Sequence, residues 1–185
     1  MNSSPNLNEL QNSIIVLLFE QAKLRDPVTP LEFALSGDFD GQFNAVIGDL
    51  ENVDQAGFLV ATLPRYTSTV FMALTKRCEL EVAKLLANLE DLERENVKPL
   101  PFGAVIGHPG HPAVTEFPPP ATILMPVTIS GVLGSIPQVT TLGGQEIRFV
   151  MALPLSQKEL ECRNTQGHDA MIDMFEQDGK SLFFA

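Results

Sequence analysis

Two histidines close together in the chain, His108 and His111, have a spacing that would let them share a metal ion on a helix. Each is followed by a proline, and a residue before proline avoids the helical region, so this segment must be a loop. A zinc site normally needs three or four protein ligands, and no third one is apparent nearby. We therefore predict no metal site and interpret both histidines as part of a loop surface.

A second group, Cys162 with His168 and Asp169, could supply a thiol nucleophile, a general base and an orienting acid. On a helix, however, Cys162 and His168 would lie on different sides, and Gly167 interrupts the helix between them. We interpret Cys162 as a small packing residue. The alternative is a small hydrolase or thiol enzyme that uses Cys162 with His168, and it predicts one conspicuously reactive cysteine.

The motifs that most often mark active sites are missing from the sequence. It contains no Gly-x-Ser-x-Gly, His-Glu-x-x-His or paired-cysteine motif. The glycine-containing loops at 103–107 and 131–135 lack the Gly-Lys-Ser/Thr ending that holds phosphates in a P-loop. We therefore expect no catalytic site and no cofactor.

The chain is strongly acidic. It has 12 Lys and Arg residues and 23 Asp and Glu residues, which gives a net charge of −11. This balance disfavours binding to nucleic acids or anionic membranes and favours a basic protein partner. The acidic candidates for that contact lie in early loops and are Asp38, Asp40, Asp49, Glu51 and Asp54. A proline-rich loop at 108–117 adds the candidates His108, His111 and Glu116.

Hydrophobic periodicity and turn residues divide the chain into helices and strands. Helices are predicted at about 7–25 and 76–96, and strands at 31–35, 43–47, 57–63, 121–129, 138–141 and 145–153. The segment 70–74 fits either a strand or the start of the long helix. Gly143 and Gly144 predict a tight hairpin turn. Within the long helix, charged residues including Glu90 and Glu93 are expected mostly away from the buried face.

The C-terminal part has the clearest local signals. An apolar strand at 147–153 should end at Pro154, which lacks a ladder donor. Ser156 and Glu159 have capping-box spacing, and Gly167 suits the close of the helix that they start. A last helix should stop at 178–179. The apolar end at 181–185 is an edge strand, a plug of the protein's own core or, if exposed, a docking patch.

These elements predict an α+β protein with a single domain over residues 1–185. We expect a mainly antiparallel sheet packed against an N-terminal helix, a long central helix and two short C-terminal helices. Two cysteines and no basic, apolar leader favour a reduced, cytoplasmic location.

The C-terminal motifs resemble the signature of the suppressor-of-fused family. That family carries an apolar strand, a Pro-Leu-Ser/Thr turn, an acidic-hydrophobic pair and a Gly-x-Asp-Ala-aliphatic helix. The matching residues here are Pro154-Leu155-Ser156, Glu159-Leu160 and Gly167-His168-Asp169-Ala170. The segment 98–103 resembles the family's turn after its long helix, and the resemblance extends over about residues 57–176.

The resemblance implies a protein-binding module without enzymatic activity. In animals such domains clamp a signalling transcription factor, and short bacterial forms have been proposed as immunity proteins that neutralise partner toxins. This chain is similar to the short bacterial form, so the implied partner is a protein, with a basic toxin as the candidate. The resemblance carries over no family binding residue.

A third reading treats the chain as a subunit of an obligate oligomer, with its apolar N-terminal helix and Phe183-Phe184 buried between subunits. A monomeric mass by light scattering would exclude it. The sequence leaves the oligomeric state open.

Overall fold

A computed structural model describes residues 6–51, 57–108 and 119–185. The helices in these ranges are α1 (Glu9–Ala22), α2 (Glu79–Asn96), α3 (Gln157–Gln166) and α4 (His168–Asp178). The strands are β1 (Thr29–Ala34), β2 (Gln42–Asp49), β3 (Phe58–Leu63), β4 (Thr69–Thr75), β5 (Val105–Gly107), β6 (Ala121–Met125), β7 (Val139–Leu142), β8 (Gln145–Leu155) and β9 (Phe183–Phe184). A short 3-10 turn follows β6 at Val127–Ile129.

Within the described ranges, these strands form one mixed sheet of nine strands in the order β1-β2-β3-β4-β8-β6-β5. β7 also pairs with β8, and β9 pairs with β4. The first four strands are an antiparallel meander, and the sequence predicts the first three of them as strands. β4 pairs in parallel with β8 and with β9, and the remaining pairs are antiparallel. The predicted α+β class with a mainly antiparallel sheet is confirmed.

Helices cover both faces of the sheet. Along β4, Val70, Met72 and Leu74 join a core with residues of α1, α3 and α4. The alternate residues Phe71 and Ala73 join a second core with α2. This alternation follows from the two-residue period of a strand.

Residues 70–74, which fit either element in the sequence, are strand. β4 is buried along its whole length, and a strand covered on both faces reads as a continuous apolar run. Such a run has no two-residue pattern to separate it from a buried helix. The sheet decides the matter by supplying hydrogen-bonding neighbours on both sides.

The prediction that the apolar strand ends at Pro154 is wrong, because β8 continues to Leu155. Pro154 is registered with Thr122 of β6. On the other side of β8, the pairing with β4 stops at Met151. β8 is therefore paired on one side at the proline, where a missing N–H group is tolerated as it is on an edge strand.

The predicted start of α3 and the predicted glycine turn and cap positions agree with the structure. Ser156 caps α3, with Glu159 N–H donating to Ser156 Oγ at 3.3 Å and Ser156 N–H donating to Glu159 Oε2 at 2.7 Å. Gly143, Gly144 and Gly167 have positive φ angles, as their predicted turn and cap positions require. α1 ends at Ala22, earlier than predicted, because Lys23 already has a left-handed backbone.

The apolar C-terminal end forms the edge strand β9, so it is part of the sheet. Phe184 is buried, and its carbonyl accepts hydrogen bonds from Lys76 N–H and from the Thr75 hydroxyl, each at 3.1 Å. α1 buries Ile14 and Leu18 against the sheet and leaves Val16 exposed on its outer side. In the part of the chain that the structure describes, no helix has the length and apolar character to cross a membrane.

We expect Asn44→Val to stabilise the protein. Both polar atoms of the Asn44 amide are buried, and neither has a hydrogen-bond partner among the described residues. A buried polar group without a partner costs about 1–3 kcal/mol, and valine suits a strand. Chemical denaturation should show the free energy of unfolding rising by about 1 kcal/mol.

Gln11→Leu is the matched control, since Gln11 is an equally buried amide that donates to Leu63 O at 3.0 Å. Removing this satisfied amide should lower the free energy of unfolding by about 1 kcal/mol. A loss of stability in both variants would show that Asn44 is not an unpaired group in solution.

Candidate functional site

Asp38 and Asp40 lie in the connection between β1 and β2, which we call the acidic turn (residues 36–41). Both side chains are exposed. Among the described residues, neither carboxylate forms an ion pair. The acidic turn therefore presents two uncompensated negative charges to solvent.

Asp49 and Glu51 lie at the other end of β2. The strand has eight residues, so the two acidic pairs are roughly 25 Å apart. Arg25 Nη1 lies 3.5 Å from Asp49 Oδ2, and Arg25 Nη2 donates to Glu51 O at 3.3 Å. This end is thus partly neutralised, and the predicted acidic set is split between two places. Asp54, His111 and Glu116 lie outside the described residues.

Phe39 anchors the acidic turn from between its two aspartates. Its ring packs edge-on against Tyr66 at a centroid distance of 5.2 Å and against Phe43 at 5.9 Å. The guanidinium carbon of Arg94 lies 3.8 Å from the Phe39 ring centroid, which is a cation–π contact. The Tyr66 hydroxyl donates to Gln42 O at 2.9 Å. These contacts hold the turn against α2 and the connection between β3 and β4.

A groove of about 850 Å³ runs over α2 beside the acidic turn. Its apolar lining comes from Leu85, Leu89 and Leu92 of α2 and from Ile106 of β5. Ser36 of the acidic turn lines the groove, and so does His108, whose Nε2 lies 2.8 Å from Thr122 Oγ1. The acidic turn and the start of the proline-rich loop, which the sequence analysis treats as two separate candidate regions, therefore line the same groove.

Two carboxyl groups that the sequence assigned mostly to the exposed side of α2 are buried. The exposed fraction is 0% for Glu90 and 4% for Glu93. Glu90 Oε1 accepts hydrogen bonds from the backbone N–H groups of Arg65 at 2.8 Å and Tyr66 at 3.0 Å. The prediction of exposure is therefore wrong for both residues. For Glu90 the reason is that amides from a distant loop compensate the carboxyl group and allow it to be buried.

Burial raises the pKa of Glu90 from 4.5 to about 7. The hydrogen bonds from the Tyr66 and Arg65 amides act against this shift, and the nearby negative charge of Glu93 adds to it. Glu90 Oε2 is buried without a hydrogen-bond partner among the described residues. A neutral carboxyl group can therefore carry its proton on Oε2 while Oε1 continues to accept both amides.

Glu93 is compensated differently. Its Oε1 accepts from Leu100 N–H at 2.8 Å and from Arg148 Nη2 at 3.2 Å. Arg148 belongs to β8, and its guanidinium also donates to Leu100 O. Glu93 therefore joins α2 to the following loop and to the centre of the sheet. No sequence pattern marks these partners, which are 7 and 55 positions from Glu93.

The residues of the thiol-enzyme alternative lie in different settings. Cys162 is 6% exposed and belongs to the core on the side of α3 and α4. His168 is exposed at the start of α4, and its ring lies beside Gly103. The described ranges hold no cluster of three His, Cys, Asp or Glu side chains able to bind a metal ion.

A comparison with protein-family models gives a match for this chain. The family model for suppressor of fused protein (SUFU) matches residues 60–185. Comparison with curated protein sequences gives no significant match.

Two solved structures are similar to the whole fold. One is a SUFU homolog from Neisseria gonorrhoeae FA 1090, with 14% identity, a TM-score of 0.69, and coverage of 95% of this chain and 93% of that chain. The other is a chain of the Sufu-Fu complex, with 10% identity, a TM-score of 0.62, and coverage of 91% of this chain and 84% of that chain. At such low identities the likeness concerns the fold alone.

We expect Gly41→Ala to disturb the acidic turn. A Cβ atom at Gly41 would clash with the Phe39 ring and would lie 2.5 Å from the Tyr66 hydroxyl oxygen. The rings must move, so the free energy of unfolding should fall by about 1–3 kcal/mol. Because Tyr66 is the only tyrosine and the chain lacks tryptophan, the near-ultraviolet circular dichroism band of tyrosine should weaken as well.

Gly131→Ala is the control, because a Cβ atom there meets nothing within 4 Å. It should leave both measurements close to those of the wild type. Equal behaviour of the two variants would contradict the packing described around Phe39.

Proposed function

The chain belongs to the suppressor of fused protein family, and on this basis we propose that it is a protein-binding module whose partner is a basic protein. The observation that carries the proposal is the acidic turn, where Asp38 and Asp40 are exposed and unpaired within the described ranges. A similar fold occurs in the Sufu-Fu complex, which supports protein binding by this architecture.

The charge of the whole chain supports a basic partner. A net charge of −11 attracts positive proteins over long range, and such steering can raise association rates by roughly 10- to 1,000-fold. The acidic turn would add a local contact at the edge of the groove over α2. The apolar side chains Leu85 and Leu89 in the groove would bury further partner surface.

The finer proposal is that the chain is an immunity protein that neutralises a toxin by covering its working surface. A standard interface of about 800 Å² on each side would be enough for such occlusion. Similarity to a bacterial SUFU homolog of nearly equal length supports this reading. No chemistry by this chain is needed, because a bound inhibitor blocks the toxin as long as it stays bound.

Charge-reversal variants should show whether the acidic turn or the acidic pair Asp49 and Glu51 contacts the partner. We expect Asp38→Lys/Asp40→Lys to reduce partner capture and slow association by at least tenfold, since two positive charges would face a basic surface. The control, Asp49→Lys/Glu51→Lys, makes the same change in net charge at the far end of β2 and should have a much smaller effect. Capture from lysate of the source organism, at low and high salt, supplies the partner, and surface plasmon resonance then gives the rates.

The captured protein also tests the immunity role. Induced alone in a heterologous host, it should arrest growth, and co-expression of the wild-type chain should restore growth while the Asp38→Lys/Asp40→Lys variant should not. Equal binding by both double variants would contradict the acidic turn as the contact. A captured partner that does not harm the host would contradict toxin neutralisation and leave protein binding intact.

A further inference from the structure

Glu90 is linked to the acidic turn through the loop between β3 and β4. Its Oε1 accepts hydrogen bonds from Arg65 and Tyr66, which are adjacent in this loop, at 2.8 and 3.0 Å. One buried carboxyl oxygen thus fixes two successive backbone amides. The remaining oxygen, Oε2, makes no hydrogen bond within the described ranges and is buried.

The side chains of the same two loop residues hold the strands on either side of the turn. Arg65 Nη2 lies 2.8 Å from Glu32 Oε2 on β1. The Tyr66 hydroxyl donates to Gln42 O at the start of β2, and the Tyr66 ring packs against Phe39 within the turn. A change in the position of this loop must therefore move contacts on both flanks of the acidic turn.

We propose that Glu90 is a positioning residue for the acidic turn, and that the loss of a single proton from its carboxyl group loosens the hold on that turn. The inference rests on the proposed function, since it concerns the surface that we assign to the partner. It makes partner binding dependent on pH near neutrality through a group that does not touch the partner.

The charged side chains around Glu90 form ion pairs with residues other than Glu90. Glu93, one turn further along α2, pairs with Arg148 of β8 at 3.2 Å. Arg94 pairs with Asp91 at 2.7 Å. Arg65 in the loop pairs with Glu32 of β1. None of these cations makes a side-chain hydrogen bond or ion pair to Glu90 in the described structure, so burial is the dominant influence on its charge.

The direction of the effect follows from two states of the loop between β3 and β4. In the closed state its amides bind Glu90, as in the structure, and in the open state they do not. In the closed state, burial raises the pKa of Glu90 to about 7, whereas an open, hydrated Glu90 would have its ordinary value of 4.5. Between these two pH values the closed state keeps a proton that the open state loses, so rising pH favours opening. The closed loop is therefore most stable below pH 4.5, weakens up to about pH 7, and changes little above that.

Hydrogen exchange measured by NMR tests this directly at the Arg65 and Tyr66 amides. In the wild type, their protection factors should fall by roughly 40-fold between pH 5 and pH 7, as expected for one proton lost on opening when the pKa values of the open and closed states are 4.5 and about 7. In Glu90→Gln they should be nearly constant, because the amide keeps an acceptor oxygen and does not titrate in this range. Wild-type protection that is independent of pH, or an unchanged fall in Glu90→Gln, would overturn the proposal.

Histidine is the side chain that in general changes charge near neutral pH, so the three histidines of this chain need a control. The triple variant His108→Asn/His111→Asn/His168→Asn should keep the wild-type fall in protection, and its disappearance would assign the effect to a histidine instead. The tyrosine circular dichroism band gives a second readout, because it reports on Tyr66 alone. These measurements need no partner, so failure of the binding experiments and failure of this proposal can be told apart.

Discussion

The parallel pairing of β4 with β8 joins the two halves of the sheet, and most of the architecture depends on it. The meander β1 to β4 lies on one side of this pair, and β6 with β5 lies on the other. Both central strands are buried on both faces, so each face must be covered by helices. α2, which follows β4 directly, covers one face, and α1 with the C-terminal helices covers the other.

Packing α2 against the sheet has a free-energy cost, because it buries polar groups, and hydrogen bonds to these groups offset that cost. Near its C-terminal end, α2 buries two carboxyl groups, and buried carboxyl groups need hydrogen-bond donors. The loop before β4 supplies two amides to Glu90, while Arg148 of β8 and the loop after α2 satisfy Glu93. The same bonds that make this burial tolerable fix the loops around the helix. The helix, the central strand and the candidate site are in this way one connected unit.

Such a unit suits recognition by charge. An acidic turn that is already held by Phe39, Tyr66 and Arg94 loses little conformational freedom when a partner binds. In the proposed function, electrostatic attraction would bring a basic partner to this side, and the groove beside the turn would offer apolar surface for close contact. The far end of β2 carries the same residue types, but Arg25 ties them to the end of α1, which points to a structural role there.

Local patterns in the sequence were enough to place the capped start of α3, the Gly143-Gly144 turn, the first three strands and the stop after α4, because these depend on local backbone preferences and on hydrogen bonds between residues a few positions apart. They were also enough for the fold class and the family. Tertiary structure decided that residues 70–74 are strand, that β8 runs through Pro154, and that Glu90 is buried. It also decided that Asp38 and Asp49 lie far apart while Ser36 and His108 line one groove. Each of these depends on which distant segment supplies a strand partner, a donor or a ring, and no pattern of neighbouring residues carries that information.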